Sequence, residues 1–209
     1  MENKLDIPTI SKQTGISIRE LNRLNRDLWY HGTTIANAEN ISKNGVIADY
    51  NLGSELDFGP GFYLTDTYER AASYISRSPI ILPNGSLENL ASWAIIEFKI
   101  NPFTMLFQSQ YNFSYYNFPK HNEDFAKFVL QNRTTNCYNQ NPHKYDLVWG
   151  VMSDNHPNKI VYDYNQGVLS YEESIKLLQK SNSMKQLFLG NQSLCDKLII
   201  NNIFTKEAN

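Results

Sequence analysis

Cysteine is scarce in this chain: Cys137 and Cys195 are the only two among 209 residues. Neither belongs to a CxxC pair, so a structural zinc site built on such pairs is excluded, and two cysteines are too few for a disulfide framework. Net charge is almost absent as well, at −2. There is no global basic field to hold a duplex phosphate backbone, so a nucleic-acid substrate would need a local patch. No apolar run reaches membrane-spanning length, and the opening "MENKLDIPTISKQTG" has no apolar core of signal-peptide length. The expectations are no membrane partner and a cytoplasmic location. His121, His143 and His156 show no metal-ligand spacing. They read as surface residues, and no metal is expected.

What is present is a moderate apolar fraction, 41%, with 19% charged residues, enough for one soluble domain with a small appendage. Tyrosine is abundant, at 13 residues. Its apolar face and polar tip suit stacking on flat ligands, although a Tyr- and Asn-rich composition of the source genome gives the same excess.

Residues 1–27 read as a helical N-terminal extension. Gly15 sits at a turn between two short helices whose inner positions are Ile10, Ile16, Leu21 and Leu24. Ser17 and Glu20 have capping-box spacing, and Arg19, Arg23 and Arg26 fall on the outer side. Such a pair serves either as a remnant DNA-reading motif or as a lead-in packed on the main domain; about 27 residues leave little room for a third helix. Residues 28–209 read as the main domain. "LWYHGTT" is a strand, and "IANAENISKNG" a helix closed by Gly45. "NLGSELDFGPG" is a loop, "GFYLT" a strand, and "DTYERAASYIS" a helix capped by Asp66 or Thr67. Trp93 to Ile100 alternates as a strand. The aromatic run 101–120 lacks a period and reads as a mobile or substrate-facing insertion. Beyond it come the helix "NEDFAKFVLQNR", the strand "YDLVWGVM", the helix "SYEESIKLLQK", the strand "QLFLG", the short helix "NQSLCDKL" and the strand "LIINNIF". Short strands between helices of uneven length give an α+β class.

Three segments, weak singly, become specific in combination. They are Tyr30-His31-Gly32-Thr33, then Gly59-Pro60-Gly61-Phe62-Tyr63, then Tyr74 eleven residues on. In this order they resemble the NAD-dependent ADP-ribosyltransferases, in the branch that includes diphtheria toxin and the poly(ADP-ribose) polymerases. "FYLTDTYERAASY" resembles the diphtheria-toxin stretch of the same length. The likeness is specific over Leu28 to Ile75, loose beyond, and absent from 1–27. The chain is also similar to a bacterial family of small uncharacterised proteins carrying "YHGT", "DFGxGFY" and a "YD(I/L)V" strand, here Tyr145-Asp146-Leu147-Val148.

The resemblance implies an ADP-ribosyltransferase-like split β-sandwich of two small sheets flanked by helices, with NAD as substrate. Tyr63 and Tyr74 would sandwich the cationic nicotinamide ring, each contributing on the order of 1 kcal/mol. The glycines, Gly61 included, would bring backbone close to the ligand, with Phe62 and Thr33 beside them. The Gly32 backbone would pair with the carboxamide, and His31 would hold a ribose hydroxyl. Tyr30 completes the binding set. Family members place a glutamate at the start of a late strand; the matching position here is Gln186, which accepts the same hydrogen bond without a charge. His31, Tyr63 and Gln186 are the expected catalytic set. The other carboxylates at element boundaries, Glu97, Glu172 and Glu173, read as solvated surface groups. Asp57 reads as a turn-fixing residue. Arg133 reads as a phosphate contact or a helix C-terminal charge.

The expected function is mono-ADP-ribosylation of a macromolecular acceptor, protein or nucleic acid, by a bacterial or phage toxin with an antitoxin partner. NAD glycohydrolysis, a non-enzymatic NAD or ADP-ribose binding module, and DNA binding through residues 8–26 stay open.

Overall fold

The computed structural model describes residues 6–51, 56–77, 79–81, 87–89, 91–135, 143–153, 156–180 and 184–207. In chain order the elements are α1 (Ile7–Thr14), α2 (Ile18–Leu24), β1 (Leu28–Thr33), α3 (Ile35–Asn44), a 3-10 turn (Ala48–Asn51), β2 (Phe62–Leu64), α4 (Tyr68–Ile75), β3 (Pro79–Ile81) and β4 (Leu87–Asn89). They continue with β5 (Trp93–Lys99), α5 (Pro102–Phe107), β6 (Tyr115–Phe118), α6 (Glu123–Thr134), β7 (Leu147–Val151), α7 (Pro157–Asn165), α8 (Tyr171–Leu178), β8 (Lys185–Leu189), α9 (Gln192–Cys195) and β9 (Ile199–Lys206). The chain is therefore α+β, with two small sheets and a separate β3–β4 hairpin among the described residues. It divides into two compact units: Met1–Val46, Leu64–Tyr111 and Asp196–Asn209 form the first, Ile47–Tyr63 and Asn112–Cys195 the second.

In the first unit the two N-terminal helices form as their caps dictate. Asp6 caps α1 by accepting the Thr9 N–H at 2.8 Å, and Gly15 ends it with φ +73°. Ser17 caps α2 through the Glu20 N–H at 3.3 Å. Ile10, Ile16, Leu21 and Leu24 are all buried. Both helices belong to the same unit as β1. The sheet has the order β1-β5-β9, antiparallel throughout. Its central strand β5 is buried from Trp93 to Phe98. The expected alternation disappears because α3 and α4 both pack against this sheet. Thr67, not Asp66, caps α4; Asp66 instead forms an ion pair with Arg70.

In the second unit the sheet runs β2-β8-β7-β6, with β7–β8 antiparallel and β6–β7 parallel. Phe58, Phe118, Phe125 and Phe188 are each at most 4% exposed and centre its core. Burying one such side chain stabilises by about 1.5–3 kcal/mol. The core is completed by Val129 and Leu130 of α6, Ile160 and Val161 of α7, and Ile175 and Leu178 of α8.

The aromatic run 101–120 is not a structureless insertion. Asn101 caps α5 by accepting the Thr104 N–H at 2.8 Å, and Phe103 is buried in the first unit. In the second, Tyr115–Phe118 forms β6, with Phe118 buried. Segments this short carry too little sequence to show a period.

Candidate functional site

The first unit holds the Tyr-His-Gly-Thr segment and Tyr74. Side chains alternate along β1, so Tyr30 and Gly32 face one side of the sheet and His31 and Thr33 the other. On the first side, Tyr30 pairs in register with Glu97. Tyr30 packs against the cluster of Ala71, Ile75, Trp93 and Ile95, edge-to-face with Tyr68 at 6.4 Å. Burial raises the Tyr30 hydroxyl to about 12, and its hydrogen bond to Glu97 adds to the shift. Tyr30 also lines an open cleft of about 380 Å³ with Arg26, Asp27, Leu28 and Asp66. Gly32 sits under α4: a Cβ there would lie 2.7 Å from the Ala71 carbonyl and 3.0 Å from Ile75 Cβ. Helix packing alone thus demands glycine at this position. On the opposite side His31 is half-buried and Thr33 buried. Tyr74, on α4, is 53% exposed.

Glu97 is not the solvated carboxylate the sequence suggests. It is buried and accepts hydrogen bonds from Tyr30 and from the Asn201 amide. The β5–β9 register shifts between Glu97 and Phe98, leaving Asn201 as the extra residue of a β-bulge. Sequence patterning cannot see this, because the partner lies on a strand more than a hundred residues away.

The second unit holds the glycine turn, Tyr63 and Gln186. The turn is fastened at each end. Asn51 donates to the Gly61 carbonyl at 2.8 Å and accepts the Gly61 N–H at 2.7 Å. The Tyr63 hydroxyl donates to the Gly59 carbonyl at 2.6 Å and accepts the Phe58 N–H at 3.1 Å. Gly59 has φ +79°, the left-handed region that favours glycine. Gly61 is required for packing: a Cβ would stand 2.1 Å from the Phe188 ring and 2.9 Å from the Leu189 carbonyl. The space that a side chain would need at Gly61 is thus filled by the Phe188 ring and the Leu189 carbonyl. Phe62 is buried, and the half-buried Tyr63 ring lies 5.3 Å from Phe188, edge-on.

Behind the turn sits a buried ion pair. Asp57 Oδ1 receives Arg133 Nε at 2.9 Å and Nη2 at 2.8 Å. Its Oδ2 receives the Ser153 N–H at 2.8 Å and Gln186 Nε2 at 3.2 Å. Asn132 donates to the Asp57 carbonyl at 2.9 Å, and Arg133 Nη1 reaches Asn158 Oδ1 at 2.6 Å. Asp57, Asn132, Arg133 and Gln186 are all below a tenth exposed. Asp57 thus does more than fix a turn, and Arg133 is neither a solvent-facing phosphate contact nor a surface helix charge. Asn51 and Asn132 escape sequence reading, since a lone asparagine in a loop or helix carries no spacing signal.

His143 is also half-buried rather than on the surface. Its Nε2 meets the Phe58 carbonyl at 2.6 Å, and its Nδ1 accepts the Tyr145 N–H at 3.1 Å. These two partners fix the neutral ring with its proton on Nε2. Burial pushes its pKa down, opposed by the Phe58 carbonyl. His121 Nε2 lies 2.9 Å from the Met152 carbonyl, and His156 is exposed at the start of α7. Glu172 and Glu173 are exposed, as expected; Glu173 closes a capping box with Ser170, whose N–H holds its pKa down. Cys195 is buried, and Cys137 lies outside the described residues. Among the described residues no cluster of three His, Cys, Asp or Glu side chains could hold a metal ion. No described helix is long and apolar enough to cross a membrane.

No curated protein matches the chain. A family model does, over residues 29–199, a span that takes in every motif segment described above and all but the last seven residues of the final strand. The chain belongs to the family described as "Protein of unknown function (DUF3990)".

Proposed function

We propose that this protein is a mono-ADP-ribosyltransferase that cleaves NAD and passes ADP-ribose to a macromolecular acceptor, protein or nucleic acid. The observation that carries this reading is where the motif segments fall. Tyr30-His31-Gly32-Thr33 lies on an edge strand, Gly59 to Gly61 forms a fastened turn leading into β2, and Tyr74 stands on the helix that follows. Strand, glycine turn into strand, then helix is the element order this motif requires. The split β-sandwich of the ADP-ribosyltransferases is part of the proposal.

In this reading the bond between nicotinamide and ribose breaks, nicotinamide leaves with the electron pair, and the acceptor's nucleophile bonds to the anomeric carbon. By the resemblance, His31 holds a ribose hydroxyl, the Gly32 backbone meets the carboxamide, and Tyr74 meets the flat ring. Tyr74, with its exposed ring, fits the stacking role. Orientation and charge stabilisation supply the rate. No metal is invoked. The reading extends to an intracellular bacterial or phage toxin acting in the cytoplasm with an antitoxin partner. A second reading, an NAD or ADP-ribose binding module of little activity, is favoured by one observation. Gln186 is uncharged, and the adjoining Asp57 is saturated by donors.

The test is nicotinamide release from NAD, with and without cell lysate, by wild type, His31→Ala and Tyr74→Ala. Tyr63→Ala is a poor probe because its hydroxyl fastens the turn. The expected outcome is lysate-dependent release with label on an acceptor, reduced tenfold or more in both variants. Equal release without lysate would assign a glycohydrolase. No release under any condition would leave a binding module.

A further inference from the structure

Asp57 is an acceptor-only group with room for about four hydrogen bonds. All four places are taken: two by Arg133, one by the Ser153 N–H, one by the Gln186 amide. A side-chain amide has a donating and an accepting end, and the two are usually hard to tell apart. Here chemistry decides. Only the NH2 end of Gln186 can face an ionised carboxylate whose charge is itself held by Arg133. The carbonyl oxygen Oε1 is thereby turned away from Asp57, and it accepts no hydrogen bond from the described residues. Backbone pairing with Gly150 holds Gln186 within β8, so the side chain has little freedom except rotation about its own bonds.

Building on the NAD reading above, we infer that Asp57 is a positioning residue. It fixes the flip of Gln186 so that Oε1 is presented as the acceptor for a ribose hydroxyl of the substrate. The Asp57–Arg133 pair then has a purpose beyond stability. A buried ion pair is seldom the most stabilising use of a site, but it supplies a hydrogen-bond acceptor held at one fixed place. The arrangement gives an uncharged side chain a defined hydrogen-bonding polarity. Lys185, the neighbouring cation on β8, is directed over the Trp149 ring at 5.7 Å.

Two measurements on the full chain test this. The first is hydrogen exchange at the Gln186 side-chain amide, assigned by the signal lost in Gln186→Ala. Slow exchange in wild type, lost in Asp57→Leu/Arg133→Met, is expected. That double variant removes both buried charges together, so it avoids stranding one of them. Exchange as fast as that of exposed glutamines would overturn the inference whatever the activity. The second is the pH profile of nicotinamide release in Gln186→Glu. The introduced carboxyl must donate to Asp57 to fit, so it is active only while protonated. Release should approach wild type in acid and fall about 10- to 100-fold as the pH rises, the range typical of a misplaced positioning group. Activity at neutral pH equal to or above wild type would overturn the inference. A wild type that releases no nicotinamide would overturn the NAD reading and the ribose assignment, while the exchange measurement still decides the orientation of the amide.

Discussion

At the scale of single residues, glycine and charge leave the clearest marks. Gly61→Ala forces a methyl into the Phe188 ring. Overpacking of this kind costs about 1–3 kcal/mol, so the melting midpoint should drop by about 2–4 °C per kcal/mol. An unchanged midpoint would mean that Phe188 moves aside freely. Arg133→Ala strands Asp57 in the core and should cost about 3–5 kcal/mol, whereas Asp57→Leu/Arg133→Met should cost much less. Denaturant unfolding of the two variants checks the order. Sequence reading found Gly61 and Asp57 as places of interest but not the contacts that hold them. The packing partner of one and the ion-pair partner of the other lie far along the chain, at Phe188 and Arg133.

At the scale of elements, local chemistry was legible and tertiary cover was not. Caps and periodicity mark α1 to α4, α6 and α8, because an Ncap side chain and a 3.6-residue repeat are local properties. Helix α7 went unread: "PNKIVYDYN" carries Pro157 at its start and Ile160 and Val161 inside, but two apolar residues do not make a stripe. The segment holding His143 offers an elemental test. Its folded pKa lies below the unfolded value of about 6.5. The stability it contributes is present above that value and is lost as the pH falls through the depressed one. Acid titration of unfolding should show this loss in wild type and not in His143→Gln. Equal pH profiles would refute it. The β1–β5 pair offers another. Tyr30→Phe leaves Glu97 one donor short in a buried place and should cost about 1–3 kcal/mol. Ultraviolet titration should also lose one late-titrating phenol, near pH 12.

At the scale of the whole molecule, the α+β class and most elements could be read from sequence, and the division into two units could not. Composition and charge are averaged along the chain, whereas each unit is assembled from separate segments. The last of these is β9, which completes the first sheet only after about 100 further residues have followed β5. On a ribosome adding about 5–20 residues per second, that gap lasts roughly 5–20 s. During this interval the run Trp93 to Phe98, buried in the folded chain, has β1 on one side and nothing of its own on the other. A nascent chain stalled before Ile199 should therefore be more protease-sensitive within β5 than a completed one. Overproduction in cells should find its limit in this waiting strand, and a chaperone that shelters it should raise the yield of folded protein.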